Sequence, residues 1–315
     1  MKKSLLLLLL CYVFTLPVFA QTNISGEIST NTIWTKAGSP YNLTGNITVT
    51  DGATLELQPG VVVEAKGHIS ITVLGKLISV GTEQDSIYFR GDGSKGFWTG
   101  IKIRNNGGSL LGVDYSYQSG SKIAYNSIKD ADCGIYVFNT SLFIENSTFQ
   151  NNKIACEHRK TTISIVKNSR FINNDKGTYS HAIPYSTLND GNNPDDLVGS
   201  ISDLKFDSCE FIGNSIGTFL EFQNSGVLNG YRISNSIFKQ NTKGVQIGNL
   251  WALNGNSIEI DHNSFIQNTS IALEFSKLSS GLSNVVKNNL FYLTTCKRHQ
   301  IIQLLLITLP ILLIL

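Results

Sequence analysis

Asn168-Ser169-Arg170-Phe171-Ile172-Asn173-Asn174-Asp175-Lys176-Gly177 returns one unit later as Ser208-Cys209-Glu210-Phe211-Ile212-Gly213-Asn214-Ser215-Ile216-Gly217. The unit is roughly Asn-Ser-x-Phe-x-x-Asn-x-x-Gly-aliphatic, and it recurs along most of the chain. Its anchors are Ile128, Phe149, Phe171, Phe211, Phe238, Phe265 and Phe291, spaced by 21, 22, 40, 27, 27 and 26 residues. Three residues after the anchor stand Asn152, Asn174, Asn214, Asn241 and Asn268; three before it stand Asn146, Asn168, Ser208, Asn235, His262 and Asn288. Two before it come Asn126, Ser147, Ser169, Cys209, Ser236, Asn263 and Asn289, and six after it a small residue such as Gly134, Ala155 or Gly244. A period of twenty-odd residues held through seven copies is the signature of a repeat architecture.

Each unit alternates with a spacing of two. Leu142 and Ile144, Leu204 and Phe206, Tyr231 and Ile233, and Ile258 and Ile260 precede the anchor; Ile135 and Val137, or Val245 and Ile247, follow it. That spacing means short strands with one buried face. Asn, Ser or Gly stands at each break, and no two-residue hairpin signal joins the strands. A coil satisfies all of this. If each unit makes one turn and climbs one strand spacing, about 4.8 Å, every strand pairs in parallel with its equivalent in the next unit. Like side chains then stack, and Asn amides can donate and accept along the axis. Asn and Gly also tolerate the left-handed backbone that sharp corners need. One unit cannot bury its own apolar face, so neighbours complete the core. The expected fold is all-β, a right-handed parallel β-helix of about ten coils with an N-terminal cap.

Composition agrees. Thirty asparagines, 26 of them between residues 101 and 300, with 28 glycines and one methionine, argue against a helical protein. Charged residues are 15% of the 315, and the formal charge is +2. A nucleic-acid binder with a broad basic face is therefore not expected.

Residues 1–20 have the parts of a secretory signal: Lys2-Lys3, an apolar run from Leu5 to Leu16, and Val18 and Ala20 placed for cleavage before Gln21. The expectation is an exported protein, extracellular or on the cell surface. Residues 21–100, with Asn46 to Thr50, Thr54 to Leu57, Ile69 to Leu74 and Ile101 to Ile103 beyond, read as cap and first coils. Residues 101–295 read as Asn-rich coils, with a loop inserted at 179–200. The tail 296–315 breaks the repeat: Thr294 stands where Asn is expected, and Ile301 to Leu315 holds 12 Leu or Ile. As a helix that run would span about 22 Å, against a bilayer core of roughly 30 Å. It reads as the out-of-frame end of a truncated gene, a short membrane anchor or a capping helix. Membrane association is expected only in the second case. Cys133, Cys156, Cys209 and Cys296 include no CxxC pair, so buried free thiols are expected rather than a zinc site.

The stretch Trp34-Thr35, Ser39-Pro40-Tyr41, Gly45-Asn46-Ile47, Val49, Gly52, Leu55 and Pro59-Gly60-Val61 resembles the leader of secreted bacterial proteins of the right-handed parallel β-helix, pectin-lyase-like superfamily. The resemblance covers about residues 24 to 295. It implies the β-helix fold; members of the superfamily include polysaccharide lyases, glycoside hydrolases, carbohydrate-binding surface proteins and many with no known activity, and the fold alone does not choose among them. The Asn-Thr-Asp, Gly-His-Gly and Arg-Ile-Lys motifs of polygalacturonase-like hydrolases, with their paired carboxylates, are not in this chain. A calcium-assisted lyase needs carboxylates stacked on adjacent coils and a Lys or Arg base. Asp130 and Asp132 share a corner, but one coil on stand Asn151 and Lys153; Lys167 and Arg170 near Glu145 read as solvated strand faces. Cys156-Glu157-His158 with His181 is a weak metal pattern, and no cofactor is expected. A long polar face remains, suited to a polysaccharide or cell-envelope ligand, with aromatics to stack on sugar rings. Tyr136, Tyr179, Tyr185 and Trp251 are the binding candidates, with Tyr115, Tyr117 and Tyr125 near one end. Tyr136 is expected to point outward between the inward Ile135 and Val137. The leading expectation is a non-catalytic binding protein. The alternatives are a lyase acting on uronate polymers, and a structural stalk or fragment of a larger surface protein.

Overall fold

Three short strands per turn, separated by three corners, wind the chain into a parallel β-helix. The computed structural model describes residues 21–161, 163–182, 203–222, 230–248, 257–276 and 283–294. Sheet I stacks ten strands from Thr32–Trp34 to Ser283–Lys287, among them Lys122–Ala124, Phe143–Glu145, Ile163–Lys167, Asp203–Asp207 and Tyr231–Ser234. Sheet II carries the anchors, in strands such as Asn126–Lys129, Thr148–Gln150, Arg170–Ile172, Glu210–Ile212, Ile237–Lys239, Ser264–Ile266 and Leu290–Tyr292. Sheet III contains Gly100–Arg104, Cys133–Phe138, Ile154–Arg159, Lys176–Ala182, Ile216–Phe222, Lys243–Gly248 and Ile271–Ser276. The strands Thr22–Ile28 and Tyr41–Val49 span sheets II and III at the N-terminal end.

Every pairing between coils is parallel, and the register follows the repeat. Ile128 pairs with Phe149, Phe149 with Phe171, Phe171 with Phe211, Phe211 with Phe238, Phe238 with Phe265, and Phe265 with Phe291. The rings stack at 5.1, 4.7, 4.6, 5.0 and 4.9 Å between centroids, within 11° of parallel. Those separations equal the strand spacing, so a phenylalanine on each turn necessarily makes a continuous aromatic column.

Asn152, Asn174, Asn214, Asn241 and Asn268 form a buried ladder beside that column. The Nδ2 of each of the first four donates to the Oδ1 of the next at 2.9 to 3.1 Å. Each also donates to a carbonyl of the preceding coil, as Asn214 does to Phe171 O at 2.9 Å. Each Oδ1 accepts a backbone N–H as well, so all amide groups are satisfied. The corner itself is turned by the preceding residue: Asn151, Asn173, Gly213, Gln240 and Gln267 have φ between 52° and 65°. The sequence unit placed a corner here correctly, but its Asn is the buried rung and not the left-handed residue. At the other corner the expectation holds directly, with Asn146, Asn168, Ser208, Asn235, His262 and Asn288 at φ between 49° and 55°.

Cys156 and Cys209 are buried and free, and Cys133 is free and half-buried. Burial pushes the Cys209 thiol up to about 12, and that of Cys156 higher still. Cys296, the signal at 1–20 and the tail 301–315 lie outside the described residues.

The connections from sheet III to sheet I carry the insertions, including residues 183–202, 223–229, 249–256 and 277–282. The strand Lys176–Ala182 runs past Tyr179, so the insertion expected from residue 179 begins later. One antiparallel hairpin, Ser109–Leu111 with Tyr117–Gly120, interrupts the coil pattern in the same connection.

Candidate functional site

Alternation on sheet III turns Ile101, Ile103, Ile135 and Val137 inward, all fully buried. It turns the residues between them outward. Because register is kept from coil to coil, the outward residues fall into two rows. One runs Lys102, Tyr136, Glu157, Tyr179, Phe219, Gln246 and Glu274; the other runs Arg104, Phe138, Arg159, His181 and Glu221. Charges of both signs and aromatic rings from five adjacent coils thus meet on one face.

The contacts within this face are dense. Tyr136 and Phe138 stack with centroids 6.1 Å apart, and the Arg104 guanidinium lies 5.7 Å from the Phe138 ring. Tyr179 stacks on Phe219, with centroids 5.2 Å apart, and on His181, at 4.4 Å. Lys176 Nζ sits 4.2 Å from the Tyr179 centroid, close enough for a cation–π attraction. His181 Nε2 and Glu157 Oε1 are 2.6 Å apart, and the imidazole is buried, with Nδ1 making no hydrogen bond. Tyr179 donates its hydroxyl to Glu221 Oε2 at 3.0 Å. Burial first, then the Glu221 charge, pushes the Tyr179 phenol far above its ordinary value, so it stays protonated. A shallow depression lined by Lys102, Arg104, Asp132, Cys133, Tyr136 and Glu157 opens at the N-terminal end of the two rows.

Two of the four sequence candidates, Tyr136 and Tyr179, lie on this face, and Tyr136 points outward as expected. Tyr179 is a strand residue and not a loop residue, because it stays in register between Glu157 and Phe219. Tyr185 and Trp251 lie outside the described residues. Tyr115, Tyr117 and Tyr125 do not join the face. The first two belong to the hairpin over sheet I, and Tyr125 turns a corner at φ 54°.

Sequence reasoning missed Arg104, Glu157, Arg159 and Glu221 as one constellation. The signal that finds them is the repeat register itself, applied to the outward rows rather than to the core. The pattern of His158 with His181 dissolves: His158 is turned into the core, fully buried against Phe206, while His181, also buried, lies on the other side of the sheet against Glu157. Among the described residues no group of three or more His, Cys, Asp or Glu side chains is placed to hold a metal ion. Lys167 does pair with Glu145 at 3.3 Å on sheet I, but Arg170 turns to Glu210 on sheet II.

No family model matches the chain. Over 65 residues it is 34% identical to Protein bark beetle of Drosophila melanogaster, a stretch that is 21% of this chain and 2% of that protein. This chain therefore spans a small fraction of that relative's length. Among solved structures it is similar to an alginate lyase from Paenibacillus sp. strain FPU-7, aligned over 78% of this chain and 99% of the other. Sequence identity is 12% and the TM-score 0.29. A likeness that loose carries no argument, and the fold rests on the coil register and the stacked columns.

Proposed function

We propose that the chain is an exported or cell-surface β-helix protein that holds an extended carbohydrate along the outer face of sheet III. The observation that carries this reading is the double row of aromatic and charged side chains on successive coils. Rings such as Tyr136, Tyr179 and Phe219 offer apolar surface to the faces of sugar rings. Lys102, Arg104 and Lys176 suit the carboxylates of an acidic glycan. A repeating polymer meets a repeating face, so affinity accumulates along the axis from individually weak contacts.

A uronate lyase is the second reading, and one observation favours it. Arg159, His181 and Tyr179 stand on two adjacent coils beside Glu157. Elimination needs a cation to neutralise the uronate carboxylate, a base for the proton α to it, and an acid for the leaving oxygen. Arginine, imidazole and a phenol kept protonated are of the right chemical types for those tasks.

The test is a glycan array that includes uronate polymers, read with the full chain and with a Tyr179→Ala variant, beside an ultraviolet assay for unsaturated uronate ends. Retention lost in the variant supports binding, and rising absorbance moves the assignment to the lyase. No retained glycan and no product would leave neither reading standing.

A further inference from the structure

We infer that the hairpin 109–120 is a longitudinal strap that locks together the coils carrying the candidate face. Its root is fixed to sheet I. Ser109 N donates to Ser141 O at 2.9 Å, and Phe143 N donates to Ser109 Oγ at 2.9 Å. From there it runs along the axis and not around it. Tyr117 packs on Phe143 with centroids 5.6 Å apart, and the Lys122 ammonium lies 5.2 Å from the Tyr117 ring. Tyr115, near the tip, reaches Asp203 Oδ2 at 2.5 Å and accepts a hydrogen bond from Arg232. Lys205 Nζ lies 5.7 Å from its ring.

The outward row of sheet I shows what this bridges. Lys122 pairs with Phe143, Phe143 with Ile165, Ile165 with Lys205, and Lys205 with Arg232. One hairpin therefore touches both ends of a run of five coils. In a solenoid each coil otherwise meets only its neighbours, and stability is close to a sum of local terms. The strap adds contacts 88 and 117 residues apart in sequence.

It also crosses the junction between Ile163–Lys167 and Asp203–Asp207, where residues 183–202 are inserted. A longer intervening segment raises the entropic cost of closing that junction. On the opposite side of the coil the same junction separates Tyr179 from Phe219 and is crossed by the Tyr179–Glu221 hydrogen bond. The Tyr115 anchor is held in a tight polar set. Arg232 Nη1 lies 2.6 Å from Asp203 Oδ1, and burial with the Asp203 carboxylate raises the Tyr115 phenol well above its ordinary value, so it remains a donor.

Hydrogen exchange read by mass spectrometry on the full chain tests this without any ligand. Tyr115→Ala is expected to speed exchange in Asp203–Asp207 and Tyr231–Ser234 by at least about tenfold, and Tyr115→Phe by less. Thr32–Trp34 and Thr54–Leu57, outside the strap, are expected to stay as in the native chain. A change confined to residues 109–120, or one spread evenly over all coils, would overturn the strap. Should Tyr115→Ala not fold, Asp203→Asn is compared in the native and Tyr115→Phe backgrounds. A smaller effect in the second supports the lock, and equal effects overturn it.

Discussion

Asn214 sits in the middle of the buried ladder, and its amide makes four hydrogen bonds. Oδ1 accepts from Asn174 N and Nδ2, and Nδ2 donates to Phe171 O and Asn241 Oδ1. Asn214→Ala leaves several of those partners buried and short of a hydrogen bond, at about 1–3 kcal/mol for each orphan, so a loss of at least about 3 kcal/mol is expected. Asn235 has the same residue type but a different task, holding φ at 52° on an exposed corner. Asn235→Ala should cost about 1–2 kcal/mol, and Asn235→Gly much less. Urea denaturation midpoints of the three variants separate the rung from the corner. His158 gives a pH dependence. Its imidazole is fully buried, and burial lowers its pKa to about 3 from an ordinary value near 6.5. The unfolded chain therefore binds the proton more readily. The contribution is complete above pH ~6.5 and is lost as pH falls from there toward ~3, by about 2 kcal/mol at pH 5. His158→Leu, matching Leu220 in the same inward column, should flatten that acid slope between pH 7 and 5.

The phenylalanine column shows how single residues become an element. Phe238 has a ring on each side, at 4.6 and 5.0 Å, and is fully buried. Phe238→Ala removes both contacts and opens a cavity, for an expected loss of about 3–5 kcal/mol. Phe238→Leu keeps most of the volume and should cost roughly 1–2 kcal/mol; thermal unfolding of the pair checks the ratio. This column was legible in the sequence because its period is one-dimensional, and counting residues between anchors gives the strand register directly. The first coils were legible through alternation of β-branched residues. The hairpin was not. Tyr115 meets Asp203 and Arg232 only because four coil junctions bring distant segments under one strap, and no local pattern encodes that meeting. The face on sheet III was half legible. Alternation gave the outward direction of Tyr136, but the outward rows vary from coil to coil, so nothing in a consensus marks Arg104, Glu157 and Glu221 as neighbours. The core must repeat for coils to pack; the outer face is free of that constraint.

At the scale of the molecule, stability is set by how many neighbours each coil has. Strands near the middle are paired on both sides and lie over a column of fully buried rings. Leu290–Tyr292 pairs with Ser264–Ile266 alone among the described residues, and Leu290, Tyr292 and Leu293 are 42%, 40% and 61% exposed. Phe291 is only partly buried, whereas Phe238 is fully so. At the other end the strand Thr22–Ile28 has no buried residue. In a chain of nearest-neighbour contacts, a strand paired on one side breaks one interface on opening where a strand paired on both sides breaks two. Native-state hydrogen exchange should therefore be slowest in the paired strands from Lys122–Ala124 to Tyr231–Ser234, where the strap adds to nearest-neighbour pairing, and faster in strands paired on one side only. Leu290–Tyr292 should exchange well before Thr148–Gln150. Equal protection of those two strands would mean that the coils open as one global unit, and the stacking of local terms would not describe this molecule.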